Sequence, residues 1–300
     1  MTHGITHKMQ TIAGFFQMNL PSIHEKIMSG ALTKLQNTAF NLDPKWKFGP
    51  PPPARQSIPV VSDSLVDELH AGNIISTAGI KEIIDDRTVR FSDGTQLSVD
   101  TIILCTGYKP DFSLLGREVD PTRNTTKAWA AAIGSGGRPL PRLYQNVISL
   151  DFPDSLAVMG MVVLKSPAVP VYDLASMAIA QIWKGNSSLP SVDEMNRHVD
   201  KHHEWICSLA EDGSVYPATV KDADWMWWVN EAAGTGVNEN LGYGLSGWSF
   251  WYREPAFCNL LMNGVATSHM YRVFDTGKRK VWAGAKDAIE RINHSANHTD

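Results

Sequence analysis

Apolar and polar residues alternate with a period of two over short stretches in the first half of the chain. The alternation covers residues 89–92 and, after the turn dipeptide Asp93-Gly94, residues 97–99, which predicts a β-hairpin with a type I′ turn. Unbroken apolar runs at 102–104 and 156–161 are typical of strands that are buried on both faces. The pattern therefore predicts sheet structure in this part of the chain.

Beyond Pro170 the apolar spacing becomes helical. Residues 171–184 predict a helix that ends at Gly185, and Ser191 with Glu194 forms a capping box that opens the next helix. The apolar face of that next helix consists of Met195, Val199, His202, Ile206 and Leu209. The other predicted elements are helices at 31–39, 64–72, 224–231, 254–262 and 282–292, a short strand at 74–75, and a long mobile loop at 121–141.

Composition and charge are those of an ordinary globular protein. Of the 300 residues 43% are hydrophobic and 19% are charged, and the net charge is −4. Because no basic excess exists to neutralise phosphates, nucleic acid is not expected as a partner. The longest apolar run, 157–164, is too short to span a bilayer, and no signal peptide is evident. The three cysteines have no CxxC spacing and indicate free thiols, so we expect a cytoplasmic protein.

Two motifs are similar to ligand sites but lack the context that such sites need. Gly242–Gly247 matches G-x-G-x-x-G, yet no strand precedes it, so we interpret it as a glycine-rich turn between helices. His198 and His202 have the spacing of metal ligands, but no third ligand is evident and His203 points away. We therefore interpret these histidines as structural and predict no metal site. The Trp-rich segment 225–228 favours helix packing over a substrate cavity.

The stretch Ile102–Phe112 carries the clearest candidate for a binding function. An apolar strand is followed by small residues, among which Gly107 permits dihedrals and close contacts that a Cβ forbids. Pro110 then prevents the strand from continuing. Proteins of the α/β class bring backbone to a ligand in this way at the carboxyl end of a sheet. Taken alone, however, these residues favour an ordinary strand exit.

A series of short motifs in the same order along the chain resembles the flavin-containing monooxygenase family. The segment Cys105-Thr106-Gly107-Tyr108 is similar to the family's ATGY-type element, with cysteine where the family usually has alanine. The other matching motifs are F-S-D-G at 91–94, D-T-I-I at 100–103, L-Y at 143–144, V-M-G at 158–160, W-K-G at 183–185, L-P at 189–190, E-M at 194–195, Y-R-V at 271–273 and W-A-G-A at 282–285. One such element is weak evidence, but the ordered series covers most of residues 56–292.

This resemblance implies an oxidoreductase that uses FAD, NADPH and O₂ to oxygenate a small molecule at a soft nitrogen or sulfur atom, through a C4a-hydroperoxyflavin. It also implies that Cys105, Thr106, Gly107 and Tyr108 bring backbone to the cofactor, and that Gly160 lets backbone approach the flavin. The helix at 171–184 is expected to point its N-terminus at the cofactor. The resemblance assigns no catalytic side chain.

The glycine motifs with which the family binds FAD and NADPH have no counterpart in this sequence, so we expect a truncated chain. The implied fold class is α/β, with an incomplete Rossmann-like, three-layer FAD/NAD(P)-binding fold followed by a mainly helical part. The expected domains are an irregular or linker segment (1–56), the remainder of the NADP-binding domain ending in the CTGY turn (57–110), a return into the FAD-binding domain (111–185) and a helical C-terminal region (186–300).

Three functions are open at this stage. The first is a flavin-dependent monooxygenase whose active form needs the missing portion. The second is a Baeyer–Villiger or N-hydroxylating relative that acts in specialised metabolism. The third is a non-catalytic remnant whose Trp-rich helices bind a partner or a small molecule.

Overall fold

The fold is that of a computed structural model of the chain, and it divides into two compact units. The structure describes residues 6–40, 42–48, 53, 56, 62–105, 107–166 and 168–296, without the side chain of residue 39. The first unit comprises residues 1–25 and 111–300, and the second unit comprises residues 26–110. Each unit has buried apolar residues of its own.

Helices make up most of the regular structure. In the described residues the helices are α1 (His7–Asn19), α2 (Pro21–Phe40), α3 (Leu65–Ala71), α4 (Lys127–Ala131), α5 (Ala168–Trp183), α6 (Val192–Asp212), α7 (Asp222–Ala233), α8 (Val237–Asn240), α9 (Leu245–Arg253), α10 (Pro255–Asn263) and α11 (Ala285–Ala296). Short 3₁₀ turns lie at Pro44–Trp46, Ile133–Ser135 and Ser268–Arg272. The strands are β1 (Ile80–Ile83), β2 (Thr88–Phe91), β3 (Gln96–Ser98), β4 (Leu143–Tyr144) and β5 (Ile148–Ser149).

The second unit contains the predicted hairpin. Strands β2 and β3 pair antiparallel with Val89 opposite Leu97, and β1 pairs antiparallel with the other edge of β2. The predicted type I′ turn is wrong, because that turn needs a positive φ at both central residues. Gly94 has a φ of 87°, whereas Asp93 has no positive φ. The turn is instead a three-residue loop that ends at this left-handed glycine.

The predicted buried strand at 102–104 is wrong. These residues belong to no strand, and Ile103 and Leu104 are 80% and 79% exposed. An apolar run is buried in a sheet only when neighbouring strands pair with it, and within the described part of the second unit none does. For the same reason the strand predicted at 156–161 is reduced to one antiparallel bridge, between Ala157 and Ile148. Residues 74–75 form no strand either.

The irregular segment predicted over 1–56 is mostly helical up to Phe40. Helices α1 and α2 occupy most of it, whereas the pattern indicates a helix at 31–39 alone. The periodic signal is weak because exposed apolar residues such as Met9, Phe15 and Ile27 are distributed around these helices rather than on one stripe. Residues 49–52 of the proline run lie outside the described residues.

The first unit has its core where α5 packs against α7. Leu174 and Ala178 of α5 meet Trp225 and Val229 of α7 in one continuous apolar cluster. The predicted helices that became α5, α6, α7 and α10 are confirmed, and so is the capping box of Ser191 and Glu194. The last predicted helix begins later than expected, at Ala285.

Two details of the first unit differ from the sequence pattern. The buried face of α6 includes four of the five predicted residues, Met195, Val199, Ile206 and Leu209. His202 is partly buried, and His203, which is predicted to point away, is buried. The loop predicted at 121–141 contains the short helix α4, whose buried Trp129 donates its indole N–H to the Arg138 carbonyl oxygen at 2.6 Å. This bond closes the loop over the small cluster that includes Ile206.

Mixed helix and sheet agrees with the predicted α/β class. The Rossmann-like three-layer arrangement stays a prediction, because the named strands of the described residues pair antiparallel in two small sheets. Within the described ranges, no helix combines the length and the apolar composition that a bilayer crossing needs.

Candidate functional site

The CTGY segment lies on the surface of the second unit. Cys105 is an exposed free thiol, and Tyr108 is 91% exposed. Gly107 has a φ of 83°, and a Cβ added there meets no atom within 4 Å. Thr106 lies outside the described residues. The backbone around Gly107 therefore has the left-handed conformation that its sequence indicates, and it is open to approach.

A cleft of about 460 Å³ in the same unit is lined by residues 99–102, which precede this segment in the chain, and by residues 83–89, and its charge does not suit a phosphate. Its lining includes Asp85, Asp86 and Asp100, with Arg87. Arg87 is paired with Asp100 at 3.4 Å. It therefore does not neutralise the other two carboxylates, Asp85 and Asp86. A backbone N–H of Arg87 holds the pKa of Asp85 below its usual range, which keeps that carboxylate charged. The cleft consequently repels the phosphates of a dinucleotide.

Gly160 lies at an exposed bend of the first unit. Its φ is 100°, and a Cβ added there also meets no atom within 4 Å. The residues after it are fixed: Val163 N–H donates to the Ala218 carbonyl oxygen at 2.8 Å, and Met161 is buried. The Tyr172 hydroxyl of α5 donates to the Val162 carbonyl oxygen at 3.4 Å. A fixed segment thus presents an open backbone at Gly160, a few residues before α5 begins.

One carboxylate near the start of α5 is electrostatically unusual. The backbone N–H of Lys165 donates to Asp222 Oδ2 at 3.5 Å. Burial raises the pKa of Asp222, although the charge of Lys165 acts in the opposite direction. Such a carboxyl group takes up a proton more readily than an exposed aspartate does.

The predicted site residues belong to two different units. Cys105, Gly107 and Tyr108 are in the second unit, and Gly160 is in the first. The structure therefore supports two separate places where backbone is accessible to a ligand.

The structure contains an ion pair, between Asp173 and Arg272, that the sequence pattern does not identify. The two residues are 99 positions apart in the chain. Arg272 Nη1 and Nη2 each donate to Asp173 at 2.6 Å. The signal in the sequence is that Asp173 carries the one charge in the apolar helix α5. Its partner is not evident, because no local pattern connects α5 with residue 272.

The histidines and the glycine motif have structural contacts. His203 is buried and its Nε2 lies 3.2 Å from the Pro141 carbonyl oxygen. Among the described residues, no group of three or more His, Cys, Asp or Glu side chains is placed to hold a metal ion. The turn between α8 and α9 covers residues 241–244, whereas Gly247 lies in the first turn of α9, where a Cβ is 1.8 Å from the Gly242 carbonyl oxygen. Gly242 and Gly247 therefore serve close backbone packing.

Comparison with known families gives a match along nearly the whole chain. The family described as FMO-like, Flavin-binding monooxygenase-like, matches residues 2–296. The match includes every residue of both accessible segments.

Individual proteins match as well. "Monooxygenase aurF" of Gibberella zeae is 45% identical over 291 residues, which are 97% of this chain and 55% of that protein. "Flavin-containing monooxygenase 5" of Cavia porcellus is 27% identical over 260 residues, which are 85% of this chain and 42% of that protein. The human protein of the same name is 26% identical over 260 residues, with the same shares. The chain spans about half the length of the curated relatives it matches.

Proposed function

The chain belongs to the flavin-binding monooxygenase-like family, and on that premise we propose that it is part of a monooxygenase that depends on FAD and NADPH. The proposed reaction is the transfer of one oxygen atom from O₂ to a soft nitrogen or sulfur atom of a small molecule. The observation that carries this proposal is the family match over residues 2–296. The relative with 45% identity is itself named a monooxygenase, which agrees with it.

The accessible backbone fits a role beside a planar cofactor. Gly107 and Gly160 both have positive φ and open space where a side chain otherwise projects. We propose that these two glycines, with Cys105, Thr106 and Tyr108, bring backbone to FAD. The acidic cleft beside the hairpin does not suit phosphates, so we do not assign the pyrophosphate of the cofactor to it.

When bound, the flavin supplies the redox chemistry and NADPH the reducing equivalents. The residues of this chain orient the flavin and shield it from water, and they do not take part in the reaction themselves. The fixed segment after Gly160 holds one backbone position, since Val163 is bonded to Ala218 and Tyr172 to Val162. Asp222, whose pKa burial raises, is able to hold a proton near the start of α5.

Flavin uptake by the purified chain tests the proposal. The chain is titrated with FAD while the visible absorbance is recorded, and NADPH oxidation is then followed in air. We expect a bound flavin spectrum that Gly160→Val weakens and Gly116→Val does not, since Gly116 is equally open but has no positive φ. A folded chain that takes up no flavin contradicts a flavin site formed by this chain alone, and it leaves the missing portion as a requirement or the non-catalytic alternative as the explanation.

The product identifies the chemistry. A thioether, a tertiary amine and a cyclic ketone are offered in turn to the flavin-loaded protein. A sulfoxide or an N-oxide is the expected product, and an ester from the ketone indicates instead the Baeyer–Villiger alternative.

A further inference from the structure

Arg279 of the first unit has an unpartnered edge on its guanidinium group. Its Nε and Nη2 atoms are buried, and no described residue accepts a hydrogen bond from either. Its Nη1 reaches the carbonyl oxygen of the neighbouring Lys280 at 3.5 Å. Buried guanidinium nitrogens that make no hydrogen bonds are costly, because they lose their contacts with water without replacement. The arrangement therefore requires an explanation.

The neighbouring carboxylates are already engaged. Both oxygens of Asp173 accept from Arg272, at 2.6 Å each, and Arg272 also donates to the Ser268 carbonyl oxygen. Asp275 is exposed, and its Oδ1 accepts from the backbone N–H of Gly277 at 2.8 Å. Neither carboxylate therefore accepts a hydrogen bond from Nε or Nη2 of Arg279, although the charges of both favour its positive charge.

From this geometry we propose that Arg279 is the binding group of a site for a small oxyanion, either a phosphate or a carboxylate. Nε and Nη2 form the side-on edge of the guanidinium group, and their two parallel N–H bonds match two oxygens of one phosphate or carboxylate. The residue as a whole is partly exposed, whereas Nε and Nη2 are buried, so an anion reaches this edge by displacing the atoms that cover it. The site does not depend on the proposed oxygenation reaction.

The electrostatics of the neighbourhood agree with this assignment. Burial lowers the pKa of Arg279, and the positive charge of Arg272 acts in the same direction, whereas the carboxylates of Asp173 and Asp275 act against it. Because burial is the largest of these effects, an anion that hydrogen-bonds to Nε and Nη2 offsets the cost of placing the charge there. Lys278 does not compete for the anion, because its Nζ donates to Ser187 Oγ at 3.1 Å and to the Glu231 carbonyl oxygen at 3.3 Å.

Thermal unfolding in different anions tests the site. The purified chain is unfolded in sodium phosphate, sodium acetate and sodium chloride at matched ionic strength. We expect phosphate or acetate to raise the Tm above the chloride value by about 2–4 °C as the site fills. A rise in Tm with phosphate but not with acetate indicates a tetrahedral ligand. A rise with acetate but not with phosphate indicates a carboxylate.

Two variants distinguish the site from general salt effects. Arg279→Met is expected to lose the anion response and, in chloride, to be at least as stable as the natural chain, because two buried nitrogens that make no hydrogen bond are removed. Lys280→Met removes the neighbouring exposed cation and is expected to keep the response. Line broadening of the ³¹P signal of phosphate by the natural chain and by Lys280→Met, but not by Arg279→Met, is the matching binding measurement.

Either of two results overturns the proposal. One is a natural chain whose Tm is the same in all three anions. The other is an Arg279→Met variant that is folded by circular dichroism and responds to phosphate or acetate as the natural chain does.

Discussion

At the scale of single residues, Gly107 has a specific backbone requirement. Its φ of 83° is unfavourable for residues with a Cβ, and most so for β-branched ones, while the space around it is open. Gly107→Val is therefore expected to leave the chain folded and to cost about 1–2 kcal/mol of the free energy of unfolding, from backbone strain alone. Urea unfolding followed by circular dichroism measures this cost.

Gly79→Val is the matched control for Gly107. Gly79 lies in the same unit, is equally open and has no positive φ. We expect this substitution to change stability by less than about 0.5 kcal/mol. Equal costs for the two variants contradict the assignment of left-handed strain to Gly107. Under the proposed function, Gly107→Val also weakens flavin uptake.

His202 is expected to make the stability of the protein depend on pH. Burial lowers its pKa from 6.5 to about 3, and the charges of neighbouring groups such as His203 act in the same direction. Because the folded pKa lies below the unfolded value, the unfolded state binds a proton first as the pH falls. The contribution of neutral His202 to the free energy of unfolding is complete above pH 6.5. It is lost as the pH falls towards 3, by up to about 1.4 kcal/mol per pH unit.

The variant His202→Phe tests this titration. Nε2 of His202 is buried and has no hydrogen-bond partner among the described residues, and the ring lies 5.6 Å from that of Trp205, so phenylalanine keeps the packing and removes the proton site. We expect the Tm of this variant to fall less between pH 7 and pH 5 than that of the natural chain. His70→Phe, at an exposed ring in the second unit, is the control. An unchanged pH profile in His202→Phe means that His202 does not titrate on unfolding.

The sequence identifies candidate residues whose role is local and misses those whose role is not. The left-handed conformation of Gly107 and Gly160 is permitted by the absence of a Cβ in each residue itself, and the sequence identifies both as candidates. The pairing of Arg272 with Asp173 joins residues 99 positions apart and depends on how α5 packs. The unpartnered edge of Arg279 is a consequence of that pairing, so it can be seen in the structure but not in the sequence.

At the scale of elements, the junction between α8 and α9 depends on close backbone contact. A Cβ at Gly247 lies 1.8 Å from the Gly242 carbonyl oxygen, whereas a Cβ at Gly244 meets nothing within 4 Å. Gly247→Ala is therefore expected to cost about 1–3 kcal/mol, and Gly244→Ala less than about 1 kcal/mol. Thermal unfolding of the two variants measures the difference. Equal stability of both variants means that the junction adjusts without cost.

A helix could be predicted where the capping residues and the apolar stripe that indicate it lie within its own segment. Helix α6 has its capping box and its apolar stripe within its own residues, and it forms nearly as predicted. The run 102–104 has no such signals, because burial of a strand depends on partners elsewhere in the chain. Helices α1 and α2 lack a stripe, and the pattern misses most of them for that reason.

At the scale of the whole molecule, the two units differ in the size of their apolar cores. In the described residues of the second unit the buried apolar side chains are Trp46, Leu69, Val89 and Phe91. The first unit has a continuous cluster that joins α5, α7 and several further helices. Since local stability follows buried apolar contact, backbone amides of β1–β3 are expected to exchange with deuterium sooner than those of α5 and α7.

Two core variants test whether this difference arises from the cores themselves. Leu174→Ala, at a fully buried position of α5, is expected to cost about 2–5 kcal/mol and to speed exchange in α5 and α7. Val89→Ala removes less buried surface and is expected to speed exchange in β2 and β3. Hydrogen exchange read by mass spectrometry follows both units in one experiment. The second unit has too few buried apolar side chains to protect its sheet. If the strands β1–β3 nevertheless exchange as slowly as α5 in the natural chain, buried apolar contact does not determine local stability in this protein.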